Sequence, residues 1–349
     1  MQRFKFLLLI VVFWGLYAEA AEFDGIGAEG EVAFDYNFLS SKGIPIPYTE
    51  GATNETYRLN DAVLRLKKNA EQILLIARLN YTPRQYSPDG VKTATANFST
   101  LSQLEVFYKV TPKLHLGFGR LVTTMGYDSV LRYENTFYNN SIAYQRIVPG
   151  SGEGLRANYI SDSFTASAST YNQFNFGATG EDYAATKATE LSIMMKFADF
   201  TGFAGYLTGK DASEAPATGT TQKSSSDFWV SYKPTSNLLL VLTYDAQTYQ
   251  VEGASTHWFD ATSAMAVYTY GINNFGVRYE MVRGANDIGY AAADHVNVLY
   301  LTDKIKLTDH LNLYVEGRFD HADEDVYFNK DGVATDNATM ITLAALAYF

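Results

Sequence analysis

Residues 31–38 read EVAFDYNF, and every second side chain in this stretch is apolar. The apolar residues share one parity: Val32, Phe34, Tyr36 and Phe38. The other parity is polar apart from one alanine, with acids at Glu31 and Asp35. A strict period of two predicts a β-strand that has one apolar and one polar face. The same split recurs at residues 103–109, 275–281 and 311–318, so the chain is predicted to contain many such strands.

Short and long links alternate along the whole chain. Short links lie near residues 68–71, 111–113, 161–162, 198–199, 234–237, 271–274 and 304–309. Long polar links lie near residues 40–54, 82–97, 122–152, 173–186, 209–224, 251–255, 283–292 and 320–337. Lipid offers a strand edge no hydrogen-bonding partner, so strands cross a membrane only as a closed barrel. The sequence therefore predicts an all-β, transmembrane, antiparallel up-and-down barrel of about sixteen strands, with both termini at the short-turn rim.

The first twenty residues have the pattern of an export signal. A basic start and an apolar run over residues 6–16 precede the small-x-small site Ala18–Ala20. The alternative is a transmembrane helix, but eleven residues at about 1.5 Å each reach only about 16 Å, half of a hydrocarbon core. We therefore expect a signal peptide at residues 1–20 and a single barrel domain at residues 21–349.

The composition narrows the possible functions. The chain has 27 Lys and Arg against 38 Asp and Glu, a formal net charge of −11 at pH 7. An acidic chain of this kind is a poor partner for nucleic acid, because the phosphate backbone is itself negative. The chain has no cysteine, so no disulfide framework supports the fold. Its aromatic fraction of 15% is high for a soluble domain.

Aromatic residues on the apolar parity gather at both ends of the predicted strands. Beside the short links are Tyr108, Tyr159, Phe164, Phe197, Phe203, Tyr232, Tyr270 and Phe275. Beside the long links are Tyr36, Phe38, Tyr81, Phe118, Phe228, Tyr244 and Phe319. Rings with an apolar body and a polar edge concentrate at membrane interfaces, so the pattern predicts two aromatic girdles. The alternative is the scattered core aromatics of a soluble β-protein.

The end and the centre of the sequence resemble known porins. The last segment places one apolar parity before a terminal aromatic: Ile341, Leu343, Ala345, Ala347 and Phe349. This end resembles that of Gram-negative outer-membrane porins. The central residues resemble the signature of the OmpL-like β-barrel porin family: Gly119-Arg120, Gly126-Tyr-Asp128, Asn135, Asn140-Ser141, Pro149 and Gly154. The resemblance implies an outer-membrane location with periplasmic termini, recognition of Phe349 by the barrel-assembly machinery, and a homotrimer.

The longest link, residues 122–152, follows the fifth predicted strand. In sixteen-stranded porins the third long loop folds inward and narrows the pore, and the resemblance gives this link that role. The link carries Asp128, Arg132, Glu134 and Arg146. Neighbouring strands carry bases on the inward parity: Arg65, Lys67, Arg78 and Arg156. We expect these eight residues to line the constriction, with loop acids facing wall bases across a transverse field. The alternative is that the charges solvate the lumen or pair locally.

Some positions depart from the alternating pattern. Four apolar residues have the expected inward parity: Phe107, Leu239, Val241 and Leu299. We expect them to lie beneath the inward loop or to mark a bulge that shifts the register. The parity also slips between Leu59 and Ala62, and the sequence does not resolve that strand.

No local motif favours catalysis or cofactor binding. Gly25, Gly27 and Gly30 have the spacing of a dinucleotide-binding loop but lack a strand before them and a helix after them. The 5 histidines are dispersed without metal-ligand spacing. We therefore expect no cofactor, no metal and no enzymatic activity.

These patterns favour an outer-membrane pore for passive diffusion of small hydrophilic solutes or ions. We expect membrane lipid and lipopolysaccharide to surround the barrel. One alternative is an adhesion or structural barrel with functional acidic surface loops and a plugged lumen, and a less favoured one is an outer-membrane hydrolase. The sequence leaves the solute and the sign of any ion preference open.

Overall fold

Sixteen long strands form one closed antiparallel sheet in the computed structural model. The described residues are 22–23, 25–40, 57–82, 85–86, 92–94, 97–172, 187–211, 221–251, 256–285, 293–329 and 331–349. The barrel strands are β1 (Ile26–Leu39), β2 (Tyr57–Asn69), β3 (Ile73–Thr82), β4 (Asn97–Lys109), β5 (Leu114–Val122), β6 (Ser151–Ile160), β7 (Phe164–Tyr171), β8 (Ala188–Phe197), β9 (Phe200–Asp211), β10 (Thr221–Thr235), β11 (Leu238–Val251), β12 (Thr256–Tyr270), β13 (Asn273–Arg283), β14 (His295–Thr308), β15 (Leu311–Ala322) and β16 (Asn337–Tyr348). The predicted signal peptide at residues 1–20 lies outside the described residues.

Each barrel strand pairs with its neighbour along the chain, and β1 pairs with β16 to close the sheet. The closing register runs from Glu31 opposite Tyr348 to Leu39 opposite Met340. Reciprocal backbone hydrogen bonds of 3.0 Å between Gly30 and Phe349 extend this pairing. Closure leaves no strand edge facing lipid, which is the condition for a sheet to span a membrane.

The alternation of polar and apolar residues matches the two faces of the barrel. In β13, Arg278 and Glu280 are fully buried on the inner face. Their neighbours Val277 and Tyr279 are 47% and 43% exposed on the outer face. The predicted facing is thus confirmed in this strand. Among the described residues, no helix is long and apolar enough to cross a membrane.

Three short turns use the same local device, a threonine that follows a lysine by two positions. The Thr111 hydroxyl accepts hydrogen bonds from the amides of Lys113 (3.2 Å) and Leu114 (2.9 Å). The Thr235 hydroxyl accepts from the Leu238 amide (3.1 Å), and the Thr308 hydroxyl from the His310 amide (3.1 Å). A side-chain oxygen thereby satisfies backbone donors that the ladder leaves free.

A β-bulge explains the parity slip in β2. Ala33 lies opposite Asp61 and Phe34 opposite Leu59, so Asn60 is one residue in excess. The Asn60 amide donates to the Tyr138 hydroxyl inside the barrel at 3.0 Å. The extra residue therefore provides a contact to the long loop that follows β5.

Three of the four apolar residues predicted to face inward do so, and one does not. Phe107, Leu239 and Val241 lie on the inner side as predicted. Leu299 lies on the outer face, because Val298 and Tyr300 beside it are fully buried inside, so the inward prediction for Leu299 was wrong.

Phe203 belongs to the interior instead of the short-turn girdle. It is only 9% exposed and stacks on Trp229 with ring centroids 5.6 Å apart. The predicted place of Phe203 in the girdle was therefore wrong. The interior next to the loop is itself apolar, so hydrophobicity does not mark the lipid face at this position.

We expect Val230→Arg to lower barrel stability by about 2 to 4 kcal/mol, because a cation near the membrane midplane loses its hydration. Val230 is 40% exposed on the outer face and lies midway between the girdle residues Phe228 and Tyr232. The matched control is Ser231→Arg, the next residue, whose side chain has the inward parity. Denaturant unfolding of protein folded into lipid vesicles measures both changes. Equal losses for the two variants would contradict the assigned faces.

Candidate pore and inward loop

The connection between β5 and β6, residues 123–150, runs inside the barrel. It contains a 3-10 turn, Arg132–Glu134, and a short helix, α1, Ile142–Arg146. The Ser141 hydroxyl caps α1 by accepting from the Tyr144 amide at 3.1 Å. Tyr138 and Ile142 are fully buried. The predicted inward loop after strand five is confirmed.

One side of this loop packs on an apolar core that fills part of the barrel. The core joins loop residues Phe137, Ile142 and Ile147 to wall residues of β11, β12 and β14. Wall members include Val241, Met265, Val267, Val296, Val298 and Tyr300. Solvent is excluded from this part of the barrel, so an open path has to run on the other side of the loop.

Wall carboxylates hold the backbone of the loop. Glu31 on β1 accepts hydrogen bonds from the amides of Arg132 and Tyr133, both at 2.9 Å. Glu280 on β13 accepts from two successive amides at the start of α1, both at 3.0 Å. Glu316 on β15 accepts from the amides of Tyr138 (2.8 Å) and Asn139 (3.1 Å). Each acid is almost completely buried, so these charge-assisted bonds fix the position of the loop.

Further contacts fix the start of the loop and its 3-10 turn. At its start, Glu190 on β8 accepts from the Thr124 amide at 3.0 Å and from the Thr123 hydroxyl at 2.7 Å. Asp227 on β10 accepts from the Gly126 amide. Farther along, Lys304 on β14 donates to the Tyr133 carbonyl at 2.6 Å. The loop is therefore attached to at least four separated strands of the wall.

The four predicted loop residues occupy different environments. The Asp128 carboxylate accepts from the Ser141 amide at 2.8 Å and lies 3.5 Å from Arg278 on β13. Arg132 is buried; its Nη1 donates to the Tyr138 carbonyl at 2.6 Å. Glu134 accepts from the Ser129 hydroxyl. Arg146 is exposed in the last turn of α1.

The four predicted wall bases do not form one cluster. Arg65 pairs with Glu29 at 3.0 Å, and Lys67 is exposed near the short-turn end of β2. The Arg78 Nε donates to the Ser102 hydroxyl at 2.8 Å. Arg156 is buried and donates to the Tyr171 hydroxyl and the Val122 carbonyl, both at 2.6 Å.

In the described part of the chain, no ion pair joins Asp128 or Glu134 to any of the four wall bases. The lining role of the eight residues stays a prediction.

Arg278 is a fully buried charge at the loop and was missed from the sequence. Its guanidinium carbon lies 4.5 Å from the Phe137 ring centroid and 4.0 Å from that of Tyr300. One amino group donates to the Asn139 carbonyl at 2.9 Å. The inward parity of β13 was visible in the sequence, but the aromatic partners come from the loop and from β14.

Burial keeps two loop phenols neutral. Burial, and then the charge of Asp128, raise the pKa of Tyr127 to about 12. Full burial, and then the charge of Asp35, raise the pKa of Tyr138 well above its usual range. The protonated Tyr138 hydroxyl therefore donates a hydrogen bond to the Asp35 carboxylate at 3.1 Å, which connects the loop to β1.

A cavity of about 730 Å³ lies on the side of the loop away from the apolar core. Its lining comes from both ends of the loop and from three strand residues: Arg78, Val122 and Ser151. Three charged residues line it: Arg78, Asp128 and Arg146. In the part of the chain that the structure describes, no group of three or more His, Asp or Glu side chains is placed to hold a metal ion.

Comparison with known proteins gives one family match and several similar folds. Residues 28–349 match the family described as putative beta-barrel porin-2, OmpL-like. The outer-membrane protein OmpT of Vibrio cholerae is 18% identical with a TM-score of 0.65, covering 95% of this chain and 100% of its own. An anion-selective porin from Comamonas acidovorans is 11% identical with a TM-score of 0.65, covering 93% and 99%. A trimer form of in-vitro folded V. cholerae OmpT is 16% identical with a TM-score of 0.62, covering 93% and 99%. No curated protein matched the chain.

Proposed function

We propose, since this chain belongs to the putative beta-barrel porin-2, OmpL-like family, that its outer-membrane barrel is a passive pore for small hydrophilic solutes or ions. The observation that supports this most is the combination of a polar inner face with an inward loop that fills only part of the barrel. Barrels of about sixteen strands are wide enough to leave an aqueous channel.

The inward loop sets the narrowest point of this path. It is fixed by buried carboxylates on three separated strands, so its position does not depend on a flexible hinge. Solutes pass between the loop and the wall at β3, β5 and β6, where the cavity lies. Selection is then by size and by the charges along that wall.

We expect purified protein in planar lipid bilayers to produce discrete steps of conductance. A water-filled path carries current without an energy source, so the steps need no nucleotide or proton gradient. Heat-denatured protein at the same concentration is the control for detergent artefacts. Folded barrels that insert but never conduct would contradict the pore and favour a plugged barrel.

The proposal also covers assembly and location. The trimer form of a similar fold and the outer-membrane family support a homotrimer in contact with lipid and lipopolysaccharide. We propose periplasmic termini, because the short turns lie at the rim where both ends of the barrel sequence lie. Residues 1–20 act as the export signal, and Phe349 is read by the barrel-assembly machinery. The pore carries out no chemical reaction.

A further inference from the structure

Arg78 is a buried base with unused hydrogen-bonding capacity. It is only 6% exposed, and its Nε is held by the Ser102 hydroxyl at 2.8 Å. Its Nη1 has no hydrogen-bond partner among the described residues. Leaving a buried charged donor unpaired is costly, so a partner absent from the protein itself is expected at this position.

The acids near Arg78 already have other partners. Glu105 accepts from the Val122 amide at 2.8 Å, and Asp61 lies 3.7 Å from the Arg132 Nε. Asp128, which lines the same cavity, is engaged by Ser141 and Arg278. Among the described residues, no carboxylate lies within ion-pair distance of the Arg78 guanidinium.

The cavity beside Arg78 suits a small hydrated anion. The volume of the cavity is about 730 Å³. One water molecule occupies about 30 Å³ in the liquid, so the cavity has room for a small anion together with several water molecules. Arg146 also lines the cavity, and Ser151 adds a hydroxyl. The charged residues of the lining sum to +1, from two arginines and one aspartate.

We propose that the cavity between Arg78 and the base of the inward loop is a binding site for small oxyanions, such as phosphate or a carboxylate. The planar fork of Arg78 matches the spacing of two oxygens on such a group. The site makes the pore anion-preferring and slows an oxyanion as it passes. This inference rests on the proposed pore and adds the class of solute that the pore selects.

The test uses single channels of the full-length protein in planar bilayers. The reversal potential in a potassium chloride gradient gives the ion preference, and added inorganic phosphate probes the site. Wild-type channels should prefer chloride, and phosphate should reduce their current in proportion to occupancy. Arg78→Gln should need about tenfold more phosphate for the same block, the effect of losing one charge-assisted hydrogen bond.

Two further variants separate the site from general charge. Lys113→Gln removes the same charge from an exposed turn outside the cavity and should behave like wild type. Arg78→Lys keeps the charge but loses the planar guanidinium, so its channels should still prefer chloride while phosphate blocks them less well. This variant also provides the test if Arg78→Gln fails to fold. Potassium preference in wild type, no phosphate block, or equal shifts in Arg78→Gln and Lys113→Gln would overturn the site. Absence of any conductance would instead contradict the pore.

Discussion

Replacing Arg278 with methionine is expected to lower the free energy of unfolding by about 3 to 5 kcal/mol, the range for breaking a buried ion pair from one side. Arg278 lies between the rings of Phe137 and Tyr300, and Asp128 is its 3.5 Å partner. Methionine replaces part of the apolar stem but leaves the Asp128 carboxylate without its cation. The Asn139 carbonyl loses its donor at the same time.

Lys306→Met is the control for loss of one paired cation. Lys306 pairs with Asp309 at 2.7 Å in a short turn, and both side chains are exposed, by 51% and 84%. Pairs that remain exposed contribute little because water screens them, so this variant should change stability little. Denaturant titration of both variants, folded in the same lipid, measures the difference. Comparable losses at the two positions would mean that the inward loop does not depend on Arg278.

The double variant Glu280→Ala and Glu316→Ala is expected to raise single-channel conductance several-fold. These two acids accept four backbone amides of the loop between Tyr138 and Ala143. Alanine offers no acceptor, so the amides are left without partners unless the loop leaves the wall. A detached loop no longer narrows the barrel at a fixed position, and fluctuating current levels are expected beside the larger mean current.

Planar-bilayer recordings at one salt concentration compare this variant with wild type and with Glu71→Ala. Glu71 is an exposed acid in a short turn and touches no part of the loop, so its removal tests loss of charge alone. Protease digestion adds an independent readout, because a detached loop becomes cleavable. Unchanged conductance together with a protected loop would show that the apolar core alone holds the loop in place.

The strands were predictable because lipid on one side and a polar interior on the other require apolar and polar side chains to alternate along every strand. The Glu31 to Phe38 stretch has the inner and outer faces that its alternation indicated, and the bounds of most links agree with the strand ends. The position of the inward loop came from the family resemblance and from the length of the link after β5. The shared threonine turns were also visible as a recurring pattern.

The attachment of the loop was not predictable in the same way. Glu31, Glu280 and Glu316 accept hydrogen bonds from backbone amides. Nearly every residue has such an amide, so the sequence does not show which residues these acids bind. Their inward parity was visible, but their partners lie about 100 to 180 positions away. Phe203 was misplaced for a related reason, since an apolar residue inside the barrel looks the same in sequence as one that faces lipid.

The pairing of β1 with β16 has a consequence for how the protein reaches its native state. Every other pairing of barrel strands joins strands that follow one another, so each hairpin can form locally across a short or moderate connection. The closing pair instead joins residues such as Val32 and Ala347. Bringing ends about 300 residues apart together costs about 5 kcal/mol of chain entropy, against about 1 kcal/mol for a tight hairpin. Closure is therefore the late and slow event, preceded by a curved intermediate whose two bare edges are open to pairing with another molecule.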